Sequence, residues 1–348
     1  MKKGLVQVAR CISDLKYGIP IRLKSLNEDC LLISAERIEK DLFENFQNQE
    51  TNCQLLISKQ RAKYLFQKDC SLKIDIQDME YEQFQKLVFS LDFSQVGLKF
   101  NEASDLEKKS LDILQNAELI PSALIVSPNY QFDFLINSLF EVDYVNYLNC
   151  KNQVEEFCSS ELLLKSGKAN IKAFRSHFDK DHYAITIYPN KVVEDNDVPL
   201  VRVHSSCFTG DLLSSLRCDC FDQLQEAIKI MSENNGGILI YLNQEGRGIG
   251  LTNKVRVYKA QLQGLDTVEA NECLGFDDDF RNFDIASKIL KSLNISTIDL
   301  LSNNPKKAKE LSNCNITVRH LVSHQFLQDN LQGYYKTKMK KMNHIIDI

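Results

Sequence analysis

The run Ile238–Gly264, ILIYLNQEGRGIGLTNKVRVYKAQLQG, sets out a strand, a glycine-rich loop and a helix in one pass. Ile238–Leu242 is short and continuously apolar or aromatic, so it reads as a buried strand. The loop Asn243–Leu251 carries Gly246, Gly248 and Gly250, and a helix follows to about Gln263, with Gly264 ending it. The same order returns downstream. Thr297–Leu301 reads as a strand, Asn304 as an N-cap, and Pro305 as the first helical residue before Lys306–Leu311. Tyr183–Tyr188 and Leu200–His204 alternate like strands, while Gln223–Ser232 and Phe283–Leu293 are helical. Strands interleaved with helices give an α/β (α+β) fold class, with mixed sheets flanked by helices.

The first half repeats the pattern less clearly. Cys53–Ser58 and Ala123–Ser127 read as buried strands, Leu106–Leu119 as a helix stopping before Pro121, and Ala35–Phe46 as another helix. Asn149–Lys168 is polar and charged with one glycine, which places a boundary between a domain over 1–165 and a second over 166–348. A chain of 348 residues fits two domains. Only four of the thirteen glycines precede residue 200. Glycine gathers where backbone turns sharply or approaches a ligand, so the second half is where a built site is expected.

A net charge of −5 argues against broad nucleic-acid or polybasic membrane binding, which needs clustered positive charge. No stretch approaches the ~20 apolar residues of a membrane span. The start, MKKGLVQVARCISDL, lacks the continuous apolar run of a signal peptide, so a cytoplasmic location is expected. Cys11, Cys30, Cys53, Cys70, Cys150 and Cys158 are scattered and read as reduced, buried small hydrophobes.

Cys207, Cys218 and Cys220 differ because they cluster as C-x10-C-x-C. Thiolate is a soft ligand suited to zinc, and three protein ligands with an open fourth position are what a catalytic zinc requires. The same three residues also fit plain buried thiols, or a structural site completed by His204 or a distant group. Between strand and helix, Gln244–Gly250 sits where backbone N–H groups bind anions, and Arg247 adds a guanidinium that grips phosphate; a tight connection alone explains the glycines equally. Lys306 and Lys307 open a helix whose N-terminus already carries positive dipole, an arrangement that an anion would relieve. Asp277, Asp278, Asp279 and Arg281 crowd the turn after Gly275, offering a proton acceptor beside a cation. These pieces imply metal-dependent hydrolysis of a phosphorylated small molecule.

Taken in order, VRVHSSCFTGDLLSSLRCDC, NQEGRGIGL, GLDTVEAN, LGFDDDFRNF and LLSNNPKK closely resemble GTP cyclohydrolase II of riboflavin biosynthesis, from about Asn170 to Ile346 and including YYKTKMKKMNH. The resemblance implies that Cys207, Cys218 and Cys220 bind one Zn2+, with an activated water directed at C8 of guanine. It implies Asp279 as proton acceptor, Arg281 as the arginine acting at the α-phosphate, and Tyr258 as a further catalytic residue. Arg202, Val203, His204, Ser205, Ser206, Gln223, Glu245, Gly246, Arg247, Thr267, Ser302 and Lys307 match positions that hold GTP. Mg2+ would accompany the phosphates. The products would be formate, pyrophosphate and 2,5-diamino-6-(5-phosphoribosylamino)-pyrimidinone, and the assembly a homodimer. Ser206 stands where the family commonly has glutamate, Asn243 where arginine is frequent, and Ser302 where threonine is usual.

The first half resembles a worn 3,4-dihydroxy-2-butanone 4-phosphate synthase. Asn27–Glu36 (NEDCLLISAE) matches that enzyme's R-E-N-E-G-D-L-V-I-A-A-E segment, with Ser25 and Leu26 at the arginine and the metal-binding glutamate. Leu106 replaces the histidine of its G-H-T-E motif. Leucine neither ligates a metal nor moves a proton. The expectation is an active cyclohydrolase behind a domain that lost its own reaction, against a bifunctional enzyme or a zinc-stabilised GTP-binding regulator. Because every named site residue lies beyond 165, a chain beginning near Gly167 is expected to retain the chemistry.

Overall fold

The structure, a computed structural model, describes residues 2–48, 53–91, 97–127, 129–176, 180–190, 198–323 and 332–342. One sequence motif runs past it: the last two residues of YYKTKMKKMNH, Asn343 and His344, lie outside the described residues. The chain forms two compact units, and neither is continuous. The first comprises Met1–Asn149 with Ile249–Phe280, the second Cys150–Gly248 with Arg281–Ile348.

The first unit opens with helix α1 (Lys2–Lys16), which buries Leu5, Val8, Cys11 and Leu15 along one face. Its sheet contains β1 (Ile21–Lys24), β2 (Asp29–Ser34), β3 (Gln54–Ile57), β4 (Leu72–Asp75), β5 (Phe100–Glu102), β6 (Ser122–Val126) and β7 (Asn137–Phe140), in the order β5-β4-β3-β6-β2-β1-β7. Every pairing is antiparallel except β1 with β7. The central strands β2 and β6 are buried almost throughout, which is why they read as continuous apolar runs. Helices α2 (Lys40–Asn48), α3 (Lys59–Phe66), α4 (Tyr81–Phe89), α5 (Asp105–Asn116) and α6 (Glu141–Cys150) complete it. The helix expected from Ala35 begins only at Lys40. Residues 35–37 form a turn, and the Glu36 side chain, 4% exposed, is taken up by Arg256 and the Ile120 N–H instead.

The second unit begins with β8 (Val154–Leu164), β9 (Gly167–Ser176), β10 (His182–Ile187) and β11 (Leu200–Ser205), then helix α7 (Cys220–Glu233) and β12 (Gly237–Leu242). The chain next supplies α8 (Leu251–Gln261) and α9 (Thr267–Cys273) to the first unit. It returns for α10 (Asp284–Ser292), β13 (Thr297–Leu301), α11 (Pro305–Asn313), β14 (Thr317–Val322) and α12 (Gln332–Met342). Strand order is β14-β13-β11-β12-β10-β9-β8, parallel from β14 to β12 and antiparallel from there to β8.

Two sequence expectations need correction. The polar stretch placed at a domain boundary is the long edge strand β8, and the split at 165/166 falls in the hairpin turn between β8 and β9. An edge strand with both faces largely exposed needs no apolar alternation; Glu156 pairs with Lys172 at 2.9 Å, and Phe157 lies under the Arg175 guanidinium. The six scattered cysteines are also not uniformly buried: Cys11, Cys30 and Cys53 are, whereas Cys158 is exposed. Among the described residues no helix is long and apolar enough to cross a membrane.

Candidate functional site

In the second unit the loops following β11, β12 and β13 leave the carboxyl ends of parallel strands, the position where open α/β sheets bind ligands. The β11 loop carries Cys207 and then a short π-helical turn, Phe208–Leu212. Cys218 and Cys220 flank Asp219, the N-cap of α7. The three sulfurs lie within 4.8 Å of one another, with Cys207 and Cys218 at 3.7 Å. Hydrogen bonding to Cys207 pushes the Cys218 thiol up to about 12, and bonds to Cys207 and Cys218 hold Cys220 well above its ordinary value. Three soft donors crowded together, two of them with raised thiol pKa values, are suited to a thiophilic cation, which would take up all three as thiolates.

Sequence reasoning missed two residues that build this cluster. A Cβ on Gly210 would meet Cys220 Cβ at 2.8 Å and the Cys207 and Cys218 sulfurs at 2.9 and 3.0 Å, so only glycine fits. Its N–H also donates to Cys207 Sγ at 3.3 Å. Asp211 accepts from the Cys207 N–H at 3.0 Å and the Tyr241 hydroxyl at 2.8 Å, and faces His204 Nε2 at 3.0 Å. Burial lowers the His204 pKa, so the neutral ring donates through Nε2 to the carboxylate. The ring also stacks on Tyr241. His204 therefore braces the turn that bears Cys207 through Asp211, and it is not among the three clustered donors. The only signal for either residue was their place inside C-x10-C.

Glu245 likewise turns to the backbone. Its Oε2 accepts the Phe208 N–H at 2.6 Å and its Oε1 the Gly246 N–H at 2.9 Å. Gly246 and Arg247 both adopt left-handed backbone, φ 62° and 61°. That is strained for arginine and typical of functional loops. After β13, Lys307 is buried and donates to the Val203 carbonyl at 2.8 Å, while Lys306 faces solvent. The expectation of two lysines around one anion thus reduces to Lys307. Arg281 and Lys307 each lie 5.3 Å from the Phe283 ring centroid, so two cations share one aromatic ring. Ser302 Oγ accepts the Asn304 N–H, closing the turn that caps α11.

Arg202 is 4% exposed, and burial lowers its pKa to about 10. It donates to the Leu301 carbonyl at 3.0 Å and to Gln223, which donates to Asp219; Asp219 accepts from Lys338 of α12 at 2.9 Å. Among the described residues its Nε has no hydrogen-bond partner, and neither has the buried Ser205 hydroxyl nor the Gln244 Oε1. Ser206 Oγ donates to Asn243 Oδ1 at 3.5 Å. Tyr258, Thr267 and Asp279 belong to the first unit: Tyr258 on α8, Thr267 at the start of α9 accepting from Gln261 at 3.0 Å, and Asp279 in the loop after α9.

The family model described as GTP cyclohydrolase II matches residues 155–323. A GTP cyclohydrolase-2 of Psychromonas ingrahamii is 50% identical over 169 residues, 48% of this chain and 83% of that protein. The chain belongs to the GTP cyclohydrolase II family. That of Aliivibrio fischeri is 46% identical over 182 residues, 51% of this chain and 90% of the relative. The riboflavin biosynthesis protein RibBA of Thermotoga maritima is 37% identical over 271 residues, 72% of this chain and 68% of that protein. That share exceeds everything from Glu155 onward, so the match reaches into the first half. A solved two-domain 3,4-dihydroxy-2-butanone 4-phosphate synthase from A. baumannii, RibBX, covers 92% of this chain and 99% of its own at 15% identity and a TM-score of 0.33, too low to carry an argument. As a GTP cyclohydrolase II family member, the chain is an enzyme of riboflavin biosynthesis, and GTP is the family's substrate.

Proposed function

We propose that Cys207, Cys218 and Cys220 hold one zinc ion and that the chain opens the imidazole ring of GTP, releasing formate and pyrophosphate. The observation that carries this is the meeting of three sulfurs within 4.8 Å in a chain 50% identical to a GTP cyclohydrolase-2. Zinc bound there would lower the pKa of a water toward neutrality and supply hydroxide for attack on C8. The protein's own groups then divide the work. By the family resemblance Asp279 would accept protons as the ring opens, and Tyr258 would act as a further catalytic residue. Arg202, Ser205 and Gln244 offer buried polar atoms without partners among the described residues, the kind of unmet hydrogen bonding that a purine edge satisfies. Val203 and Ser206 line the same strand end, with Gln223 orienting Arg202.

For the phosphates, Arg281 and Lys307 supply paired positive charge around Phe283, with Gly246 and Arg247 in the left-handed loop and Ser302 and Thr267 as hydroxyl partners. Mg2+ would neutralise the remaining phosphate charge. Arg281 acts on the α-phosphate as pyrophosphate leaves. His204 and Glu245 serve by fixing Cys207 and the turn behind it. The first half is a synthase-like domain without synthase activity: Leu26 is fully exposed and Leu106 is 3% exposed in the core, and neither carries a donor for metal or proton. We place the enzyme in the cytoplasm as a homodimer.

The test supplies purified protein with GTP, zinc and magnesium and follows formate and pyrophosphate, beside ribulose 5-phosphate as a second substrate. Formate and pyrophosphate in equal amounts with no loss of ribulose 5-phosphate is the expected result. GTP bound but never consumed would make the chain a regulator, and ribulose 5-phosphate consumption would restore the bifunctional reading.

A further inference from the structure

The segment Ile249–Phe280, which carries Tyr258, Thr267 and Asp279, is built into the first unit, not the second. Ile249, Val257, Ala260, Ala270, Cys273 and Phe276 are core residues there, all at most 4% exposed and in one cluster with Leu31, Ile33, Leu55 and Leu124 of the sheet. On α8 the spacing of Asn253, Arg256, Val257 and Ala260 turns one face inward and leaves Tyr258 off that face. Removing the first half would strip this segment of its core. A chain beginning near Gly167 would carry Tyr258, Thr267 and Asp279 without the core residues that this segment packs against here.

Polar clamps grip the segment at both ends. Near Tyr258, Arg256 Nη1 donates to Glu36 Oε2 at 2.9 Å and to Asn253 Oδ1 at 2.6 Å; the Glu36 side chain is 4% exposed and also accepts the Ile120 N–H at 2.8 Å. Asn253, wholly buried, donates to the Glu118 carbonyl at 2.8 Å. Ahead of Asp279, Arg61 is 1% exposed and meets no carboxylate among the described residues; its guanidinium donates to the carbonyls of Leu87 and Ser90, each at 2.8 Å, and of Cys273. Ser58 Oγ donates to the Gly275 carbonyl at 2.7 Å. Gly275 has φ +88°, and a Cβ there would lie 2.7 Å from that same oxygen.

We infer that the first half of the chain is the platform that positions the Tyr258–Asp279 segment, with Glu36 and Arg61 as its positioning residues. This rests on the proposed role of Tyr258 and Asp279. A buried carboxylate shared by Arg256 and a backbone N–H, and a buried arginine spent on carbonyls from three places, are costly unless they fix geometry. The inference gives the first half a use that needs none of the synthase residues it lacks.

The test uses the full chain and the variants Glu36→Gln, Arg256→Gln, their double, and Arg61→Met. Amide hydrogen exchange is read across 249–280, together with bound metal per chain, kcat and KM. Expected are at least about tenfold faster exchange within 249–280, a kcat drop of about tenfold or more in each single variant, and unchanged metal content. The Glu36/Arg256 double should be no worse than either single, because both break one interaction, whereas independent destabilisation would add. Exchange and kcat at parental levels in Glu36→Gln and Arg61→Met would overturn the inference. A parent that binds metal but releases no formate would instead defeat the proposed reaction, and the exchange data would still report on the platform.

Discussion

Arg61 in the first unit and Arg202 in the second are both nearly inaccessible, and burial lowers both to about 10. They differ in what their N–H groups meet. Arg61 donates from Nε and both terminal nitrogens to carbonyls, so its corner is complete without a ligand. Arg202 of β11 reaches Leu301 and Gln223, but among the described residues its Nε meets no partner, and neither does the Ser205 hydroxyl at the end of that strand. The cysteines repeat the contrast. Cys53 is pushed up to about 12 by burial alone, whereas Cys218 reaches about 12 chiefly through its hydrogen bond with Cys207. Burial by itself thus marks packing. Unmet polar groups mark a site only where they gather, as Arg202 Nε, the Ser205 hydroxyl and Gln244 Oε1 do in the second unit, while in the first unit only Ser34 Oγ is without a partner among the described residues.

Substitutions that separate the two regions should rank accordingly. Cys218→Ser should abolish formate release and deplete bound metal, because among the described residues no other group of three donors offers a replacement. Cys53→Ser, at a more deeply buried thiol, should lower stability and leave metal content unchanged. Normal turnover with full metal in Cys218→Ser would erase the distinction. Arg281→Lys keeps the charge but loses the planar guanidinium, and should slow pyrophosphate release by about a hundredfold or more. Parental rates would make Arg281 an ordinary neighbour of Phe283. Gly210→Ala should weaken metal affinity by about tenfold to a hundredfold through displaced sulfurs, read by competition with a chelating dye.

The smallest effect concerns the packing thiols. The folded protein keeps the Cys53 proton up to about 12, while an unfolded chain releases it near the ordinary 9.0. The stability contributed by this thiol is complete below pH of about 9 and declines as pH rises toward about 12. Urea unfolding on either side of pH ~9 should therefore show an alkaline loss that Cys53→Ala reduces. An identical alkaline slope in the variant would show that burial does not hold the proton.

Local signals carried the second unit's elements into view. Ile238–Leu242, Thr297–Leu301 and the Asn304–Pro305 cap were legible because strand hydrophobicity and N-capping depend on neighbours in sequence. The cysteine spacing was legible for the same reason. β8 was not, since an edge strand exposed on both faces carries no alternation. Nor was the allocation of Ile249–Phe280 to the first unit: Arg61 and Cys273, or Glu36 and Arg256, are joined across some 200 residues with nothing local to announce them. His204 and Glu245 stood out in the sequence as site residues, but their partners here, Asp211 and the Phe208 N–H, carry no local signal that could have announced them.

The central claim is that the three thiols hold the ion on which ring opening depends. Protein stripped with a chelator and titrated with zinc tests it most directly, with bound metal and formate release measured on the same samples. Turnover should be absent without metal, rise in proportion to occupancy and level off at one ion per chain. Full turnover in the stripped protein, or activity indifferent to occupancy, would contradict the account.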